Sequence, residues 1–472
     1  MANLYGALIG TLSNYLYTYI LIILLLAGGI YFTIRTKFVQ FRYLKESFKI
    51  VLAPSDDDKS ISSFKALMIS TASRVGTGNI AGISTAICLG GMGSIFWMWV
   101  TALLGSATAF VEGTMAQIYK RRAADGGCYG GPSYYIEDAL HKRWLGVTFA
   151  VFMILTYMVG FNLVAAFNIS DSLKTFSFYS TFGSATPWII GGVLAVLFFI
   201  CISGGGKQIA SITGALVPFM GFFYIAVALF ITITHLNLVP GVIVNIVKSA
   251  FDVKAIFGGF AGSAVMLGIK RGLFSNEAGV GAAACASGSA GVSHPVKQGL
   301  VQVLSVFIDT VLICTSTALL LLCSGVEPQA ELAGMAYVQA AMSSTLGQFG
   351  VIFITISLFL FAFTTLLGNF YYAETGMAYL CGMTPSKGAQ WALRIVAAAV
   401  VCIGATMELS MVWDTADVLM GIMAVINVPV IFILLKPVLL CLNDYIGQKK
   451  AGKDPVFKAA NIGLKEKTDF WN

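Results

Sequence analysis

The chain has 472 residues, of which 57% are apolar and 11% charged, with a formal net charge of +7 and a mean hydropathy of +0.84. Soluble domains carry roughly 25% charged residues, so this chain has too little charge to coat a water-facing surface, and a soluble globular protein is excluded. Apolar runs of about 20 residues predict eleven membrane spans, at approximately 16 to 34, 66 to 93, 95 to 118, 145 to 168, 187 to 203, 211 to 234, 255 to 283, 299 to 323, 349 to 373, 391 to 408 and 415 to 440.

The first run has no basic residue ahead of it and no small-residue cleavage pattern, and it is long enough to span. It therefore reads as a retained helix and not as a signal peptide. A basic loop follows, with Arg35, Lys37, Arg42, Lys45, Lys49, Lys59 and Lys65. The second run is interrupted by Arg74-Val75-Gly76-Thr77-Gly78-Asn79-Ile80-Ala81-Gly82, at the depth where a helix reaches the bilayer centre. Its glycines let the backbone unwind, which is tolerated at that depth only where protein or a polar cavity satisfies the freed groups. Helices broken at mid-membrane mark secondary transporters.

The third run contains Glu112, and the loop after it is again basic, with Lys120, Arg121, Arg122, Lys142 and Arg143. The tail adds Lys449, Lys450, Lys453, Lys458, Lys465 and Lys467, whereas the opposite connections hold only Lys174, Lys248 and Lys254. The positive-inside rule then sets the N-terminus outside and the C-terminus in the cytoplasm of a multi-pass plasma-membrane protein. Basic flanks facing anionic membrane lipid explain the net charge without a nucleic-acid partner. The 35 to 65 loop and the tail read as solvated flanks, too short for a core.

After an N-terminal helix and loop, 1 to 65, the remaining spans fall into two sets of five, 66 to 234 and 255 to 440, followed by the tail 441 to 472. Each set opens with a glycine-interrupted segment, and five is odd, so the second set enters from the opposite side as an inverted repeat. Arg74, Asn79, Ala81 and Gly82 recur at the same spacing as Arg271, Asn276, Ala278 and Gly279. Counting about 1.5 Å per residue from an outer end near Ala255 nevertheless puts the midplane near residue 265. The second break is accordingly expected at Ser263 to Gly268, with Ser263, Met266 and Gly268 at the substrate. Lys270 and Arg271 would face the cytoplasm, and Gly272 to Gly281 would form a short second half-helix.

An amino-acid zwitterion held in low dielectric needs donors for its carboxylate and acceptors for its ammonium. Gly76, Thr77, Gly78 and Asn79 open the outer half-helix, where N–H groups and the helix dipole favour an anion; carbonyls of 263 to 268 would meet the ammonium. Asp309, about ten residues into its span, is a candidate for an ion, a proton or a gate, as intramembrane carboxylates are by default. Glu277 and Glu374 are expected near cytoplasmic ends, pairing with Arg271 or Arg74 as an inner gate. The nine cysteines are scattered without C-x-x-C, and His141, His235 and His294 are isolated, which gives no metal or redox signature. Gly76 to Ala81 matches a permissive dinucleotide pattern, but no strand precedes it and no acidic residue follows at the required distance. An enzyme is therefore not expected, and a cation channel is the alternative of another class.

Arg-Val-Gly-Thr-Gly-Asn at 74 to 79, Arg-Gly-Leu-Phe-Ser-Asn-Glu-Ala-Gly at 271 to 279, Tyr-Tyr-Ala-Glu at 371 to 374 and Trp413-Asp414 resemble signatures of the alanine or glycine:cation symporter family, also called sodium:alanine symporters. The resemblance covers essentially the whole chain. It implies an all-α fold of two inverted five-helix repeats like that of the bacterial leucine transporter, plus one extra helix, and sodium-coupled uptake of alanine or glycine. Carbonyls of Ala72, Val75 and Phe361 and the hydroxyls of Thr364 and Thr365 resemble one sodium site of that fold. Asn79 resembles the amide that bridges a second sodium to the substrate carboxylate, and Glu112 a glutamate that props the broken helix. Where many members have a pocket tryptophan, this chain has Asn369, which leaves room for a longer polar side chain and makes glutamine the runner-up substrate.

Overall fold

The computed structural model describes residues 2–53, 60–123, 127–251, 263–382, 385–464 and 468–471. Apolar runs in lipid must satisfy their backbone internally, so they become helices. In chain order these are α1 (Tyr5–Arg35), a short amphipathic α2 (Leu44–Leu52), α3 (Ser63–Arg74), α4 (Gly78–Gly90) and α5 (Gly93–Ile118). A two-residue ribbon, β1 (Arg121–Arg122) with β2 (Cys128–Tyr129), leads to α6 (Pro132–Leu140). Then follow α7 (Arg143–Ser172), α8 (Gly183–Ile202), α9 (Gly205–Thr234) and α10 (Val239–Ala250). The second half contains α11 (Ala264–Asn276), α12 (Ala283–Gly288), α13 (Pro295–Leu322) and α14 (Met335–Leu380). It closes with α15 (Lys387–Gly404), α16 (Leu409–Ile433) and α17 (Leu435–Lys450).

Among the described residues, nine helices are long and apolar enough to cross a membrane: α1, α5, α7, α8, α9, α13, α14, α15 and α16. The expected spans 66 to 93 and 255 to 283 are each divided, into α3 with α4 and α11 with α12; part of the second lies outside the described residues. Helix α5 packs against α1, α11, α12 and α13 and so backs both broken segments. Wide π turns at Gly78–Gly82, Leu155–Gly160 and Phe307–Cys314 re-aim side chains of α4, α7 and α13, and such turns often mark functional positions.

The three basic stretches meet at one end of the molecule, here termed the basic end. Glu46 of α2 receives Tyr445 Oη at 3.2 Å and pairs with Lys449, and the Arg122 amide donates to Asp469 Oδ2 at 2.7 Å. This arrangement corrects the reading of the tail as a solvated flank. Trp471 is 6% exposed, donates Nε1 to the Gln117 carbonyl at 2.6 Å and packs on Phe457, because its indole and the rings of Phe457 and Phe470 find apolar and cationic surface at the end of α5. The same end ties α3 and α12 together: the Gly291 amide donates to the Ile61 carbonyl at 3.0 Å, and Gln117 Nε2 and Lys120 Nζ donate to the Ala290 carbonyl.

Candidate functional site

Helix α3 stops at Arg74 because Val75 leaves helical geometry (φ −77°, ψ 87°) and Gly76 follows it. Glycine is required at 76, since a Cβ there would lie 2.2 Å from Thr365 Oγ1. That hydroxyl donates to the Ala72 carbonyl at 3.0 Å, which joins α14 to the break. Thr77 and Gly78 open α4, where first-turn N–H groups lack helical partners, and the side chain of Phe274 lies against Gly78. Asn79 is the hub: Oδ1 accepts the Gly76 amide at 2.8 Å, and Nδ2 lies 2.7 Å from Asp309 Oδ1, 3.1 Å from the Asp309 carbonyl and 3.3 Å from Ser275 Oγ. Ser275 and Thr310 donate to Asp309 Oδ2, each at 2.7 Å.

The second break is at Glu277 to Ala282, not at Ser263 to Gly268. Ser263 Oγ caps α11 by accepting the Met266 amide at 3.3 Å, so this helix starts at Ala264 and not near Ala255. At about 1.5 Å per residue its far end lies roughly 18 Å further on. Ser263, Met266 and Gly268 thus occupy the cap and first turns of a regular helix. Gly268 allows close packing: a Cβ would fall 2.5 Å from the Ser94 carbonyl of α5. Nor does Gly272 to Gly281 form a half-helix, because α11 runs through Asn276 and the second half-helix is α12. Glu277 turns left-handed (φ 53°), Gly279 and Gly281 have φ of 101° and 92°, and the sequence echo at 271 to 279 therefore marks the break after all. Asn427 of α16 stabilises it, donating Nδ2 to Glu112 Oε1 at 2.6 Å and to the Gly279 carbonyl at 3.0 Å, while Tyr135 Oη donates to Asn427 Oδ1. Glu112 thus holds the broken segment both directly, through the Gly279 and Gly281 backbone, and through Asn427.

The two breaks are joined by Ser73, whose Oγ lies 3.1 Å from Glu277 Oε1 and 2.9 Å from Asn369 Oδ1. Asn369 Nδ2 continues to Asn162 Oδ1 on α7 at 3.0 Å. Around this chain several buried polar atoms have no protein partner, Arg74 Nε and Nη2, Asn162 Nδ2 and the Tyr372 hydroxyl, while the Tyr157 hydroxyl bonds the Glu277 carboxyl. Buried polar groups are nearly always satisfied, so this cluster fits a polar guest. For a hard cation such as sodium, Thr365 Oγ1 with the Ala72 carbonyl, and the Asp309, Ser275 and Asn79 oxygens, supply the right donor type. Thr364 is turned away, donating to carbonyls of its own helix at Leu360 and Phe361 and lying 3.5 Å from Met220 Sδ.

Toward the end opposite the basic one, the breaks are covered by Phe161, Phe274 and Trp413, with ring centroids 4.6 and 4.5 Å apart in sequence. Arg271 pairs with Asp417 and lies over Trp413, and Lys270 pairs with Asp417 at 3.0 Å and Asp414 at 3.5 Å. Lys270 and Arg271 therefore sit in the half away from the basic end, a correction that follows from the same shift of the break. Glu277 is at the break itself and feels the charge of Arg74, whose Nη1 donates to Gln302 Oε1 at 2.9 Å, so the expected Glu277–Arg74 attraction is present without a direct ion pair, while Glu374 faces Gly205 and has Arg394 in the place expected for Arg271 or Arg74. On the basic side a cavity of about 260 Å³ is lined by Ser60, Cys128, Lys207, Ser289, Tyr371 and Glu374, among others. Sequence reasoning missed Ser73, Asn162, Ser275, Asp417 and Asn427; an amide or carboxylate inside an apolar run was the available signal.

The model of the sodium:alanine symporter family matches residues 1–459. The chain is 44% identical to the probable sodium/glutamine symporter GlnT of Bacillus subtilis, over 97% of this chain and 94% of the relative. It is 39% identical to the sodium/alanine symporter AgcS of Methanococcus maripaludis, over 89% and 93% of the two chains. Among solved structures it resembles MhsT in complex with L-phenylalanine, with a TM-score of 0.59, 12% identity and coverage of 88% and 94%. That likeness concerns the fold, which is leucine-transporter-like.

Proposed function

The chain belongs to the sodium:alanine symporter family, and from that premise we propose that it is a sodium-driven symporter that carries a small neutral amino acid inward by alternating access. The observation that carries this reading is the pair of helix interruptions at 75 to 76 and 277 to 282, joined through Ser73 and ringed by unpaired buried polar atoms. The substrate carboxylate is held by the start of α4 at Thr77 and Gly78, and its ammonium by carbonyls freed in the second break. One sodium lies between the Ala72 and Val75 carbonyls and Thr365, with Phe361 and Thr364 completing the site if the Thr364 hydroxyl rotates. A second lies at Asn79, Ser275 and Asp309, where it neutralises the carboxylate of the substrate. Because each ligand raises the affinity of the other, the coupling is reciprocal.

The basic end faces the cytoplasm by the positive-inside rule, and the stretches 66 to 234 and 255 to 440 act as the two inverted halves. In this arrangement Arg271, Asp417 and the Phe161, Phe274 and Trp413 rings close the outer side, and the 260 Å³ cavity is the start of the inner path. Alanine or glycine is the substrate the family implies; glutamine is the second reading, favoured by Asn369 and its link to Asn162. Purified protein in sealed vesicles should accumulate labelled alanine only under an inward sodium gradient, and Asn79→Ala should abolish that accumulation. Uptake that ignores sodium, or a sodium current independent of amino acids, contradicts the proposal.

A further inference from the structure

Asn162 is fully buried on α7, next to Phe161 in the aromatic cover over the first break. Its partner Asn369 lies one helical turn beyond Thr365, so both residues of α14 face the broken segments; Thr365 reaches Ala72 and Asn369 reaches Ser73. The Ser73 hydroxyl has one proton and two acceptors in reach, Glu277 Oε1 at 3.1 Å and Asn369 Oδ1 at the shorter 2.9 Å. When the Ser73 hydroxyl donates to Asn369 Oδ1, the Asn369 NH₂ must face Asn162, and Asn162 must present its oxygen in return. Rotating the Asn162 amide would set two NH₂ groups against each other. Its Nδ2 is therefore the end left over, a buried donor with no protein partner.

That donor stands on α7, which packs with α14 beside the two breaks, whereas the helix ends that match a zwitterion belong to the breaks themselves. A substrate side chain reaching it would have to bring an acceptor. Nearby stand the Tyr372 hydroxyl, also without a protein partner, and the Tyr157 hydroxyl with the Glu277 carboxyl it bonds, the two tyrosine rings 5.0 Å apart beneath Phe161. A carboxamide offers both a carbonyl oxygen and an NH₂. An aliphatic side chain offers neither, and a carboxylate would bring a negative charge toward Glu277. Resting on the symport reading, we propose that Asn162 is a specificity-determining residue whose NH₂ donates to the side-chain carbonyl of a carboxamide amino acid, glutamine or asparagine.

The test compares glutamine, asparagine, alanine and norvaline, the last an apolar side chain of similar length, as competitors of sodium-driven uptake by the parent chain and by Asn162→Leu in proteoliposomes. A site built around a hydrogen bond rejects the analogue lacking it, so glutamine should compete at concentrations about tenfold or more below norvaline. Asn162→Leu should shrink that gap to about twofold, read as a ratio within the variant so that any common loss of uptake cancels. Equal potency of glutamine and norvaline in the parent chain, or an undiminished gap between them in the variant, overturns the assignment. A parallel measurement in detergent with sodium, independent of transport and of the variant's folding, follows thermal stabilisation of the parent chain; glutamine must stabilise it more than norvaline does. Sodium-driven alanine uptake that glutamine does not touch sinks this inference alone, whereas the absence of any sodium-driven uptake sinks the symport reading.

Discussion

Gly76→Ala puts a methyl group 2.2 Å from Thr365 Oγ1, 3.2 Å from its Cβ and 3.4 Å from its Cγ2. Thr365 has little freedom to withdraw, being 5% exposed and bonded to the Ala72 carbonyl at 3.0 Å. Overpacking of a fitted core costs about 1–3 kcal/mol, and the displaced hydroxyl adds about 1 kcal/mol. Gly76→Ala alone should therefore destabilise by about 2–4 kcal/mol. Thr365→Ala removes Oγ1 and Cγ2 and leaves only its Cβ, 3.2 Å from the added methyl, so in the double variant the severe clash is relieved and a coupling of about 1–3 kcal/mol should emerge from the cycle. Transport should behave differently: the double variant regains stability but not sodium dependence, because the hydroxyl assigned to the ion is gone. Thermal unfolding in detergent, with and without sodium, together with sodium-driven uptake, gives both readings. Additive stability losses refute the steric argument, and normal sodium dependence in the double variant refutes the role of Thr365.

Asp417→Asn leaves Lys270 and Arg271, both buried, without their shared carboxylate; breaking one side of such a pair costs about 3–5 kcal/mol, and a melting temperature equal to that of the parent chain would contradict it. Trp471→Ala removes an almost fully buried indole and its bond to Gln117, with an expected loss of about 3 kcal/mol seen as easier thermal unfolding; unchanged unfolding would return the tail to a solvated role. Burial lowers the pKa of the His294 imidazole, partly opposed by Asp444 at 3.2 Å. Its folded value lies below the unfolded value of about 6.5, so the unfolded state binds the extra proton first. Stability from this group is present above about pH 6.5 and lost as pH falls through the folded value. His294→Gln should flatten the decline in melting temperature between about pH 7 and 5, and an unaltered slope would assign it to other groups.

The first break was legible because Gly76, Gly78 and Gly82 stand with Thr77 and Asn79 inside an apolar run, a combination that lipid does not tolerate in a plain helix. The second was misjudged for a local reason. The apolar stretch begins near Ala255, but the helix takes its register from the Ser263 cap, and a serine in an apolar run gives no sign of whether it caps or packs. One misplaced helix start then carried Lys270, Arg271 and Glu277 to the wrong depth. Asn79 and Asp309 could be named from chemistry, and Glu112 and Asn369 from the family resemblance, yet their partners could not. Ser73, Asn162 and Ser275 meet them only through three-dimensional packing and the π turns of α4, α7 and α13, which have no sequence periodicity of their own. The tail escaped for a similar reason, since Trp471 is an isolated aromatic until the end of α5 supplies its surface.

Substrate-stimulated sodium entry tests the central claim most directly. Purified protein in tightly sealed vesicles is supplied with radiolabelled sodium and each proteinogenic amino acid in turn, under a clamped membrane potential. Sodium influx should rise only with small neutral or carboxamide amino acids, and should vanish in Asn79→Ala. Influx that is the same with and without every amino acid would show that the two interrupted helices do not couple an ion to a substrate.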